Sequence, residues 1–119
     1  MCIRDMDLYI DQAKFRQQFA ADVSSAKASL MAAAQRPVTE AAITEASAEP
    51  AWKKLPSWFV YGTADKNIPE AALAFMAKRA NSQKTIAIPG ASHVVMTSHP
   101  AAVAKLIETA AQQSIRVAQ

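Results

Sequence analysis

The chain has 119 residues, enough for one small domain and one modest core. Thirteen basic residues against ten acidic leave a net charge of +3, and no basic run exceeds Lys53-Lys54, which is thin for a nucleic-acid binder. Apolar residues make up 51%, against a disordered chain; one cysteine and two glycines exclude a disulfide framework, a cysteine-based zinc cage and a G-x-x-x-x-G-K phosphate loop, and no apolar stretch approaches the ~20 residues of a membrane span.

Met1 to Asp7 has no charged segment followed by an apolar one, so no signal peptide is read there; a cytoplasmic location is favoured, but a natural amino terminus outside the sequence would leave the compartment open. Cys2 is read as an incidental thiol, with only Arg4 nearby to lower its pKa. Asp11 to about Gln35 reads as helix in one or two pieces, because Phe15, Phe19, Val23, Ala26 and Leu30 recur at steps of three and four. Asp22 and Ser24-Ser25 mark the expected break, with Asp22 as the cap of a second helix. Pro37 ends the pattern. Thr39 to Ala48 is either a short helix or irregular, and Glu49 to Pro56, with two prolines, is a connection.

From Ser57 the pattern changes. Ser57 to Tyr61 is a run of strand formers opened by Pro56 and closed by Gly62, apolar at nearly every position, as expected of a strand buried on both faces. Pro69 suits the first turn of a helix whose apolar side is Leu73, Phe75, Met76 and Ala80, with Lys78 and Arg79 in its last turn and Asn81 as a left-handed cap. Thr85 to Ile88 is a second strand and Pro89 to His93 a turn. Pro100 opens a final helix with Val103, Leu106, Ile107, Ala110 and Ser114 on one face, capped by Ser98 or His99. The order strand, helix, strand, helix predicts a parallel pair with a crossover, an α/β arrangement. Two parallel strands make a poor sheet by themselves, so the second half reads as the end of a larger sheet whose earlier strands lie outside the sequence. The competing reading is a complete α+β domain with a two-stranded sheet.

Two titratable groups follow the two strands: Asp65 in Gly62-Thr63-Ala64-Asp65 and His93 in Gly90-Ala91-Ser92-His93. Functional groups gather at the carboxyl ends of strands in open α/β sheets, and parallel neighbours place both turns at one edge. A carboxylate beside a histidine fixes its tautomer and stabilises the imidazolium, leaving the second ring nitrogen to activate a hydroxyl or thiol. The bland alternatives are a turn-forming aspartate and a solvated histidine. His93 and His99 do not have a zinc-ligand spacing and lack a nearby third ligand. Glu45 and Glu49, spaced for one helix face, read as solvated. Trp52 and Trp58 read as core or pocket wall.

These residues carry a resemblance. Ala51 to Trp58, Gly62 to Pro69, Phe75 to Ala80, Gly90 to His93 and Ser98-His99-Pro100 resemble the carboxy-terminal part of an α/β-hydrolase. More narrowly, they resemble the small bacterial esterase-like branch, related in fold to haloperoxidases and to plant hydroxynitrile lyases and methylesterases. Upstream, Phe19 to Asp22 and Gln35 to Pro37 resemble the end of that branch's cap region. The resemblance implies a helical cap remnant and connection over residues 1–50, and the carboxy-terminal part of the core over residues 51–119. It implies Asp65 as triad acid, His93 as triad base, and an ester-like small-molecule substrate. No cofactor, metal, nucleic acid or membrane is implied.

One part of the family pattern is missing. No G-x-S-x-G occurs, and none of the serines is flanked by glycines as a nucleophile elbow requires. The chain therefore reads as a carboxy-terminal fragment of a Ser-His-Asp hydrolase, inactive or nearly so by itself. The alternative is a non-catalytic binding or dimerisation module, with the sheet edge near Phe59 and Val60 offering a surface for self-association.

Overall fold

The computed structural model describes residues 7–117, so Cys2 lies outside the described residues. The first half is a small helical unit. A two-residue strand β1 (Asp7–Leu8) pairs antiparallel with β2 (Val38–Thr39). Between them lie α1 (Gln12–Phe19) and α2 (Ser25–Ala33), which pack on each other. The side-chain amide of Gln35 completes the closure: its Oε1 accepts the Ile10 N–H at 2.9 Å and its Nε2 donates to the Ile10 carbonyl at 2.8 Å.

Both helices of this unit start at a side-chain oxygen that accepts otherwise unpaired N–H groups. Asp11 accepts from Ala13 and Lys14, and Ser24 accepts from Lys27. The second cap is thus Ser24 and not Asp22, whose carboxylate is engaged elsewhere. The break also shifts the helical phase. Phe15 and Val23 are buried with Ala20, Ala28 and Ala32, whereas Ala26 and Leu30, expected on the same stripe, face solvent. A single uninterrupted helix would have kept them together; five intervening residues rotate α2 onto its alanine face. Thr39 caps a short α3 (Glu40–Thr44). Glu45 ends that helix and Glu49 pairs with Lys54 at 3.1 Å, so the two glutamates do not share a helix face.

After a single 3-10 turn (Ala51–Lys53) the second half alternates β3 (Trp58–Gly62), α4 (Glu70–Arg79), β4 (Lys84–Ile88), α5 (Val95–Ser98) and α6 (Pro100–Val117). β3 and β4 are parallel, with Trp58 opposite Lys84 and Gly62 opposite Ile88. Asn81 adopts φ 49° just past α4, the left-handed turn expected of it. Pro69 stands at the N-cap of α4, and Pro100 is the first residue of α6.

β3 is half-buried from Trp58 to Tyr61 and buried at Gly62, because α4, α5 and α6 pack against it but, among the described residues, one strand flanks it. Leu106 of α6 is buried, while Ile107, expected on the same face, is 63% exposed. Trp58 is half-buried and donates from its indole N–H to Gln113 Oε1 at 2.9 Å. Trp52 is half-buried with the Arg79 guanidinium 5.2 Å above its ring. Among the described residues no large side chain is completely buried, and alanine makes up much of the core.

Candidate active site

The turn after β3 and the turn after β4 lie side by side at the carboxyl end of the sheet. Backbone bonds splice them: Thr63 N–H donates to Ile88 O at 3.1 Å and Ala64 N–H to Ala91 O at 3.0 Å. Thr63 Oγ1 accepts the N–H of Gly90 at 2.9 Å, and Gly90 itself has φ 72°. The approach is so close that a β-carbon on Gly62 would sit 2.2 Å from Ala91 O and 2.5 Å from Ser92 O, so position 62 must be glycine.

Within this splice Asp65 and His93 meet. His93 Nδ1 is 2.6 Å from Asp65 Oδ2. The second oxygen of the same carboxylate, Oδ1, accepts the N–H groups of Asn67 at 2.7 Å and Ile68 at 3.1 Å. Asp65 is therefore both turn former and histidine partner, one oxygen for each. Its side chain is only 4% exposed. That burial by itself raises the carboxyl pKa, but the donations from Ile68, His93 and Asn67 outweigh it and hold the group below its ordinary value. An ionised carboxylate has only acceptors, so the proton in this pair resides on Nδ1, and Nε2 is the ring atom left to act as a base.

The helical unit closes over this pair. The Phe19 ring lies 4.8 Å from the His93 ring, and Phe15 lies 5.1 Å from Phe19. Gln18 Nε2 donates to the Lys66 carbonyl at 2.8 Å, and Asn67 Nδ2 donates to the Gln18 carbonyl at 3.2 Å, tying the end of α1 to the Asp65 turn. Val94, next to His93, is buried in the apolar cluster of the helical unit. A cavity of about 660 Å³ has Phe19 in its wall, with Leu8, Tyr9, Ile10, Phe15, Met31, Val38 and Ile43, and Gln35 and Arg36 among its few polar neighbours. Phe15, Phe19 and Met31 thus serve as packing and cavity wall together.

A second carboxylate stands beside the first. Asp22 accepts the Ser92 hydroxyl on Oδ1, and its Oδ2 is 3.3 Å from His99 Nε2. Burial raises this carboxyl too, and the donations it receives, chiefly from Ser92, carry it below its ordinary value. The His99 side chain is thus turned to Asp22, and the Ser98 hydroxyl donates to the Val94 carbonyl at 3.4 Å. His93 and His99 face different carboxylates. Among the described residues no group of three or more His, Cys, Asp or Glu side chains is placed to hold a metal ion. Asp22 was legible in the sequence only as a helix cap, and nothing local to it signals its contacts with Ser92 and His99.

No curated protein matches the chain. The sequence profile described as the alpha/beta hydrolase family matches residues 3–106, most of the chain's length. With the parallel strands, the crossover helix and the two spliced turns, that match settles the fold: the chain belongs to the alpha/beta hydrolase family.

Proposed function

We propose that this chain supplies the acid and the histidine of a Ser-His-Asp acyl-transfer site acting on an ester or similar acyl bond. The observation that carries the reading is the 2.6 Å contact between His93 Nδ1 and Asp65 Oδ2 at the carboxyl ends of adjoining parallel strands. Asp65 fixes the ring and its tautomer. Nε2 takes the proton of a nucleophilic hydroxyl as it attacks the acyl carbon, returns it to the leaving alcohol, and then activates water in the same way. The apolar cavity beside Phe19 favours an ester with a sizeable hydrocarbon part, and the helical unit takes the position of a cap over the site.

The nucleophile comes from outside these 119 residues, since no G-x-S-x-G is among them. Ser92 is no substitute: it is 2% exposed and its hydroxyl is committed to Asp22. Hydrolysis of a chromogenic ester by the chain alone, and by the chain joined to the first half of an α/β-hydrolase core with its elbow serine, tests the proposal. The expected outcome is background rate from the chain alone, activity from the joined form, and a loss of about 10⁴-fold or more on His93→Ala. Activity in the joined form that survives His93→Ala overturns it.

A further inference from the structure

Asp22 lies in the bend between α1 and α2, far in sequence from the sheet, yet both of its oxygens are occupied by the segment that carries His93. Its side chain is 19% exposed. Oδ1 accepts from Ser92, the residue immediately before His93, and Oδ2 faces His99 at the other end of the same segment. Ser92 is polar yet buried, 2% exposed, so its hydroxyl depends on Asp22 for a partner. Between the two contacts run His93, the buried Val94 and Val95, and the single turn of α5. A carboxylate accepting a buried hydroxyl makes a charge-assisted bond, stronger than a neutral one. Asp22 does not serve α2, whose cap is Ser24.

We propose that Asp22 is a positioning residue for His93: one carboxylate of the helical unit grips residues 92 and 99 and so sets where the His93 backbone sits relative to Asp65. The proposal rests on the reading of Asp65 and His93 as the acid–base pair. Asp22 touches neither ring nitrogen of His93 and acts only through its neighbours. The splice of the two turns fixes the sheet side of the His93 segment, and Asp22 fixes the helical side.

Amide hydrogen exchange and ring ¹⁵N spectra of His93, recorded on the full 119-residue chain, test this. In Asp22→Ala, exchange over residues 92–99 accelerates roughly tenfold or more while β3 and α4 are unchanged, because an unpaired buried hydroxyl favours local opening. The His93 ring signals shift or broaden in the same variant. Asp22→Asn, which keeps an acceptor for Ser92, returns both readouts most of the way to the parent. Should Asp22→Ala fail to fold, Ser92→Ala is read by the same two measurements. Unchanged exchange at 92–99 with unchanged His93 signals in a folded variant overturns the proposal, as does acceleration spread evenly over the whole chain. Failure of the acid–base reading is a separate result: the parent then lacks a bonded Nδ1–H, and the exchange pattern still decides what Asp22 holds.

Discussion

Asp65 divides its two oxygens between the Asn67 and Ile68 amides and the His93 ring, and Asp22 divides its own between Ser92 and His99. Hydrogen bonds hold both carboxyls below the ordinary value of 3.8 despite their burial. A carboxyl with a depressed folded pKa contributes stability that is complete above about 3.8 and is lost as the pH falls through the folded value. The urea midpoint should therefore hold at higher pH and fall as the pH drops below about 3.8. In the Asp22→Asn/Asp65→Asn chain the midpoint at the higher pH should be lower and the acid decline shallower; an equally steep decline there would show that other groups govern acid unfolding. The positions of Asp65 and His93 were legible because each follows a strand in a short glycine-containing turn. The partnership of Asp22 was not, because its contact with Ser92 spans 70 residues of sequence and no local pattern encodes it.

At the scale of elements, periodicity and proline placement located most of the helices and both strands of the parallel pair. What they could not register was phase. The five-residue break after Phe19 rotated α2, so that Ala28 and Ala32 are buried and Leu30 is exposed. The pairing of β1 with β2 was also invisible, since two-residue strands carry no alternation to detect. The β3 and β4 turns are spliced where backbone meets backbone at Gly62. Gly62→Ala must push the Ala91 and Ser92 carbonyls aside. It should cost about 3 kcal/mol or more by denaturant unfolding, while alanine at Gly90, where a β-carbon meets open space, costs only the strain of φ 72°. Equal losses at the two glycines would contradict the close approach.

At the scale of the whole molecule, the chain exposes 8840 Å² and has a radius of gyration of 16.8 Å. A compact monomer of this mass exposes about 6,300 Å² with a radius of about 13.5 Å. Among the described residues the parallel sheet has two strands, and Phe75 and Ile107, on the helices beside it, are exposed. The composition hinted at this, since alanine supplies much of the apolar fraction and little buried area. Within these 119 residues a carboxylate and an imidazole are brought together, Asp65 against His93. The most direct measurement is a proton NMR spectrum of the 119-residue chain at neutral pH. It should contain a resonance far downfield of the amides from His93 Nδ1–H bonded to Asp65, present in His99→Gln and absent in both Asp65→Asn and His93→Gln. A folded chain without that resonance, or one that keeps it after Asp65→Asn, would contradict the account.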